Sequence, residues 1–183
     1  MKSMMRNVVL VCVLTLGVCV HTVSAQDLEI WCVSGGDGGA GTGTVIRGPN
    51  GTVVLFDEGG GATWATACKA VVNGIGGVVD HAIASHYDSD HIAGLDDLVS
   101  GGDAIDIGAC WDRGVTLTQC GDPINSDYLD TVAGRRNTVT VDGNSDIDLG
   151  SGAILRILSV GRADKEQVAD IRGGGTIPAY REN

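Results

Sequence analysis

The sequence predicts a mixed α/β domain, and three observations carry that expectation. Short runs of alternating or continuous apolar residues read as strands at 27–33, 44–46, 52–56, 78–85, 103–109, 138–141 and 153–160. Two intervening segments carry an apolar stripe at helical spacing, one through Trp64, Cys68, Val71, Val72 and Ile75, the other through Ile92, Leu95 and Val99. A Gly-Gly pair follows each stripe, Gly76-Gly77 and Gly101-Gly102, where a residue free to adopt positive φ closes a helix. No repeat, coiled-coil seam or second domain is evident. Strands with two interspersed helices make half of a layered α/β sandwich the natural architecture.

The first residues are expected to lie outside the fold. Lys2 and Arg6 make a basic start, Val8 to Val20 is largely apolar, and Val23-Ser24-Ala25 offers a small-residue cleavage site. The apolar run is short for a membrane span, so residues 1–25 read as a cleaved signal peptide. The mature chain is expected to begin at Gln26, to be secreted or periplasmic, and to carry no membrane span. Cys19 raises lipidation as an alternative, although Val18 occupies the small-residue position of a lipobox.

The strand at 27–33 alternates Leu28, Ile30 and Cys32 with Asp27, Glu29 and Trp31. Ser34 to Gly43 is a glycine-rich loop with the spacing Gly36-x-Gly38-x-x-Gly41. A dinucleotide cradle needs a helix next, and the strand-like Thr44-Val45-Ile46 follows instead, so that reading fails its context. Gly48-Pro49-Asn50-Gly51 predicts a hairpin turn. The segment from Cys110 to Arg136 is polar and irregular at first, with a short helix over Tyr128 to Val132. Asp142-Gly143-Asn144-Ser145-Asp146 opens like a calcium loop but lacks the sixth-position Gly and the closing Glu, so a hairpin turn is preferred.

The whole chain carries 12 basic and 23 acidic residues, a formal charge of −11. Such a chain repels polyanions at long range and lacks the basic footprint of a general nucleic-acid binder. The cysteines of the mature chain are Cys32, Cys68, Cys110 and Cys120. An even set in an exported protein favours disulfides, and Cys110–Cys120, close in sequence across a loop, is the preferred pair. Cys32 would then pair with Cys68, or both would stay as buried thiols. No Cys-x-x-Cys spacing points to a cysteine zinc site.

The chemistry concentrates in Ser85-His86-Tyr87-Asp88-Ser89-Asp90-His91, where His86, Asp88, Asp90 and His91 offer imidazole nitrogen and carboxylate oxygen within six residues. An apolar strand enters this stretch and a helical stripe leaves it, so the donors sit on a strand-to-helix turn, where they can converge and where a helix N-terminus favours carboxylates. A polar loop that happens to be rich in Asp and His is the alternative. His81 lies on the incoming strand and reads as a structural histidine. A divalent metal lowers the pKa of a water and makes hydroxide available near neutral pH.

The pattern resembles the signature of the metallo-β-lactamase superfamily, usually His-x-His-x-Asp-His. Here Asp88 replaces the second His, and His-x-Asp-x-Asp-His followed by Ile-Ala-Gly-Leu resembles the branch found in DNA-uptake competence proteins. Gly48-Pro49-Asn50-Gly51 with Thr52 to Gly60 looks like the turn, buried strand and Asp-Gly loop of that superfamily. Asp146 to Ala153 with Ile154-Leu155 resembles a later strand pair. The resemblance covers most of residues 28 to 160. It implies that residues 26–183 form the N-terminal portion of an αββα sandwich, without its C-terminal half.

The resemblance also implies a metal-dependent hydrolase, with metal-bound hydroxide attacking an ester, amide or phosphodiester bond of a small-molecule or phosphodiester substrate. His86 and Asp88 would hold a first metal, Asp90 and His91 a second. Asp90 would be catalytic, orienting the hydroxide and later protonating the leaving group. Asp57 would support the motif loop from behind the ligands. One or two zinc ions are favoured, and the harder Asp88 admits manganese or iron. The family adds a bridging Asp and a further His from its second half, whereas the histidines here are His21 in the leader, His81, His86 and His91. Little or no turnover is therefore expected of the 183-residue form. The competing class is an exported, non-catalytic module that holds a metal or a partner.

Overall fold

Six strands form one sheet in chain order: β1 (Glu29–Ser34), β2 (Thr42–Arg47), β3 (Val53–Phe56), β4 (Val78–Ile83), β5 (Asp106–Asp112) and β6 (Arg136–Thr138). The computed structural model describes residues 27–35, 41–115, 123–141, 144–161, 166–169 and 176–178. β1, β2 and β3 pair antiparallel, and β3 through β6 pair parallel. The connections account for the change. β2 and β3 are joined by the tight turn at Gly48-Pro49-Asn50-Gly51, where Gly51 takes φ 90° and donates from its N–H to the Gly48 carbonyl at 2.9 Å. Parallel neighbours need a crossover. Helix α1 (Gly61–Gly74) joins β3 to β4, the short helices α2 (Ser89–Ile92) and α3 (Leu95–Leu98) join β4 to β5, and α4 (Ser126–Val132) joins β5 to β6. The fold class is mixed α/β.

The main core lies between one sheet face and the helices. Val45, Leu55, Val79, Ala82 and Cys110 from the strands meet Trp64, Cys68 and Val72 of α1, Leu95 and Leu98 of α3, and Tyr128 and Val132 of α4. On the other face Val54 and Ile83 lie under a hairpin of β7 (Ile147–Gly150) and β8 (Ala153–Leu155), which contributes Ile147 and Leu149. Strands β9 (Ser159–Gly161), β10 (Glu166–Ala169) and β11 (Thr176–Pro178) form a separate antiparallel sheet. The alternation predicted for β1 is present. Its apolar set Leu28, Ile30 and Cys32 is the exposed one, because α1 covers the face that carries Trp31 and Val33.

Four sequence expectations are adjusted. The helix expected through Ile92, Leu95 and Val99 is two single turns, because the Gly94 N–H donates to the Gly59 carbonyl at 3.2 Å instead of continuing the helical ladder. The strand expected to end at Ala109 continues through Cys110 and Trp111 to Asp112, which is tolerated there because Arg136 neutralises it. The strand expected at 138–141 is β6, at Arg136–Thr138, and Val139 and Val141 instead pack beside Trp111 and Ile157. The strand expected over 153–160 is interrupted, with β8 ending at Leu155 and β9 starting at Ser159.

Several expectations lie outside the described residues: the leader 1–25 with Cys19, the start at Gln26, Asp142-Gly143 of the turn, and Cys120 of the Cys110–Cys120 pair. Cys32 is exposed, and Cys68 and Cys110 are buried, all as free thiols. Burial, aided by the nearby Glu58 carboxyl, pushes the Cys68 and Cys110 thiols up to about 12. No helix among the described residues is long and apolar enough to cross a membrane.

Candidate functional site

In a parallel sheet the strand ends that carry ligands are the carboxyl ends. Three adjacent strands here deliver polar residues at that edge. β3 ends at Phe56 and is followed by Asp57-Glu58, β4 ends at Ile83 and is followed within three residues by Ser85-His86, and β5 ends on Asp112. The loops are stitched together by backbone bonds, Asp57 N–H to Ile83 O at 2.9 Å and Glu58 N–H to His91 O at 2.7 Å. Asp57 is one of two non-glycine residues among those described with positive φ, at 60°. That conformation costs roughly 1 kcal/mol outside glycine, and Asp tolerates it better than most residues. It aims the carboxylate into the motif.

The Asp57 carboxylate accepts three hydrogen bonds, from Ser85 N–H at 2.8 Å, Ser85 Oγ at 2.9 Å and His91 Nδ1 at 2.9 Å. A carboxylate only accepts, so the His91 proton is on Nδ1 and, in the neutral ring, the Nε2 lone pair is free. The same reasoning reaches His86. Ser85 gives its hydroxyl proton to Asp57, so its Oγ accepts from His86 Nδ1 at 3.0 Å. One carboxylate thus sets the tautomer of both imidazoles. The two rings lie 3.8 Å apart between centroids and tilt by 46°. His86 Nε2 faces Asp88 Oδ2 at 3.4 Å, and His91 Nε2 faces Asp90 Oδ2 at 3.6 Å.

All four sequence-predicted donors are therefore neighbours, with Asp57 behind them. They face one another in two pairs, and among the described residues no three His, Cys, Asp or Glu side chains are arranged as a set that could hold a metal ion. The donor chemistry fits a divalent cation. Two imidazole Nε2 atoms face two carboxylate oxygens, and each imidazole is fixed from behind as metal-binding histidines usually are. A serine-nucleophile reading of Asp57, His91 and Ser85 fails on direction, since both imidazoles donate toward Ser85 and Asp57 and neither can take the serine proton. His81 is absent from the cluster. Its Nδ1 accepts from Trp111 Nε1 at 3.1 Å, and burial lowers its pKa from the ordinary value.

Sequence reasoning gave no site role to the Ser85 hydroxyl, Tyr87 or Glu58, and weighed Gly41 only as part of a dinucleotide spacing. Ser85 was legible only as a small residue at a turn. Gly41, at φ 79°, sits so close to the motif that a Cβ there would overlap the Asp90 carbonyl oxygen. Gly41 thus packs against the start of α2. Gly41→Ala is expected to lower stability by on the order of 2 kcal/mol and to displace Asp90. Gly51→Ala is the control, because Gly51 has similar φ and open space at its Cβ position. Equal losses of denaturation midpoint in the two variants would refute the packing claim.

No protein-family model matches this chain, and no curated protein matches it significantly.

Proposed function

We propose that this chain is a metal-dependent hydrolase of the metallo-β-lactamase kind, with zinc held by His86, Asp88, Asp90 and His91. The observation that supports it is the facing of Nε2 lone pairs and carboxylate oxygens across 3.4 and 3.6 Å. Each pair is a place where positive charge is held between nitrogen and oxygen, either a proton on the imidazole or a metal cation. When bound, a divalent cation supplies that positive charge together with Lewis acidity toward water and toward the oxygen of the scissile bond. Asp57 and Ser85 keep both imidazoles in the tautomer that can donate to it. Asp90, half exposed at 49%, would orient the attacking water and later pass its proton to the leaving group. Manganese or iron would suit the harder Asp88.

The substrate class is an ester, amide or phosphodiester, and the charge of −11 argues against long polyanions. The basic and apolar features of residues 1–25 extend the proposal to export, and the cysteines of the exported chain extend it to a Cys110–Cys120 disulfide. A second reading, an exported module that holds calcium or a partner without catalysis, is favoured by the exposure of Asp88 and Asp90, hard oxygen donors at 56% and 49%.

The deciding experiment is metal content by mass spectrometry after exposure to equimolar zinc, manganese and calcium, followed by assay against ester, lactam and phosphodiester substrates. Stoichiometric transition metal, lost in His86→Ala and His91→Ala, is the expected result. Calcium alone would establish the module instead. Asp90→Asn is expected to retain the fold and to lower any hydrolysis by roughly 100-fold or more. Unchanged hydrolysis in that variant would remove Asp90 from the mechanism.

A further inference from the structure

Tyr87, between two of the proposed ligands, is buried at 3% exposure, although its neighbours His86 and Asp88 reach solvent. Its hydroxyl donates to Asp112 Oδ1 at 2.9 Å and accepts from Arg136 Nη2 at 3.1 Å. The guanidinium carbon of Arg113 lies 4.8 Å from the centre of its ring. Asp112 is wholly buried, at 0%. Its Oδ1 also accepts from Gly114 N–H at 2.7 Å and Arg136 Nη2 at 3.2 Å, and its Oδ2 from Tyr128 Oη at 3.0 Å and Arg136 Nε at 2.7 Å. One carboxylate at the end of β5 thereby gathers β6 through Arg136, α4 through Tyr128 and the motif loop through Tyr87.

We propose that Asp112 is a positioning residue for the site, acting through Tyr87 to hold His86 and Asp88 at their mutual distance. This rests on the metal reading above. The geometry supports positioning over mere burial. The hydroxyl of Tyr87 is tied to an acceptor whose four other donors come from Gly114, Tyr128 and Arg136, so the loop is referenced to the neighbouring strand and not only to its own. Tyr87 is joined through the backbone to both His86 and Asp88, so anchoring its buried side chain restrains the segment that carries the solvent-reaching pair.

The test uses the full chain and two conservative variants. Tyr87→Phe deletes the hydroxyl that joins the motif to Asp112. Tyr128→Phe deletes a hydroxyl that α4 gives to the same carboxylate, while keeping the ring that packs 6.1 Å from the ring of Tyr87. Both are expected to lower the unfolding midpoint to a similar extent, and both avoid Asp112→Asn, which could prevent folding by leaving Arg136 uncompensated. In metal-free protein, hydrogen exchange of peptides covering 85–91 should accelerate about tenfold in Tyr87→Phe, with β3 peptides unchanged. Cobalt(II) affinity, read from its visible absorption, should fall about 10- to 100-fold in Tyr87→Phe and stay near wild type in Tyr128→Phe.

Unchanged exchange over 85–91 in Tyr87→Phe would overturn the anchoring. Equal weakening of cobalt binding in both variants, or in neither, would overturn the positioning role. A wild-type chain that binds no cobalt would instead overturn the metal reading itself, and the exchange comparison would still decide whether Asp112 anchors the loop.

Discussion

Trp64→Ala is expected to cost about 3–5 kcal/mol and to take the site down with the core. Trp64 is fully buried, and its indole N–H donates to the Val33 carbonyl at 3.3 Å. Glycines from three segments pack on its ring. A Cβ at Gly43 would come within 2.6 Å of the six-membered ring, one at Gly94 within 2.6 Å, and one at Gly59 would overlap the five-membered ring. These glycines belong to β2, to the junction of α2 and α3, and to the loop that carries Asp57. The tryptophan thus supports the backbone two residues after Asp57, at Gly59, and three residues after His91, at Gly94. Alanine would leave a cavity that glycines, having no side chains, cannot fill by repacking. Chemical denaturation is the measure, and a loss below about 1 kcal/mol would show that the three loops do not depend on this ring. Trp64→Phe should fall between the two, since it keeps part of the surface and loses the bond to Val33.

Glu58→Gln is expected to make the protein more stable at alkaline pH and to flatten its pH dependence. Glu58 is 1% exposed and its Oε2 makes no hydrogen bond. Burial first, then the charges of Asp57 and Asp112, hold its carboxyl well above the ordinary 4.5. The folded chain therefore keeps a proton that the unfolded chain releases. Its stabilising contribution is complete below the unfolded value, and is lost as pH rises through the folded one. Glutamine copies the shape of the protonated acid and cannot ionise. Unfolding midpoints measured from pH 5 to pH 9 should fall for wild type and fall less for Glu58→Gln. Parallel curves for the two proteins would mean that Glu58 is not the group responsible.

Local rules made much of the fold legible. The stripe Trp64, Cys68, Val72 fell on the buried side of α1, because helical period alone decides which residues share a face. The Gly-Pro-Asn-Gly turn formed as its residues require, because the bonds that close it join residues no more than four apart. The four donors were legible for the same reason: a run of six residues leaving a strand end cannot scatter far. Asp112 shows the opposite case. Aspartate is a poor strand former, yet β5, expected to end at Ala109, runs on to Asp112. Arg136, 24 residues away in sequence, supplies the opposite charge that its burial requires, and no periodicity encodes that meeting.

The sequence by itself determined the mixed α/β class, the helix α1, the β2–β3 turn and the identity of the four clustered donors, all set by interactions within a few residues. The tertiary structure decided how those donors are used. The break of the expected helix into α2 and α3 depends on Gly94 finding the Gly59 carbonyl across the fold. The tautomers of His86 and His91 depend on Asp57, 34 residues before His91, arriving by the parallel pairing of β3 with β4. The fixing of Tyr87 depends on the pairing of β4 with β5, which brings Asp112 beside it. Each is a hydrogen bond between segments distant along the chain, and its geometry exists only after the strands have paired.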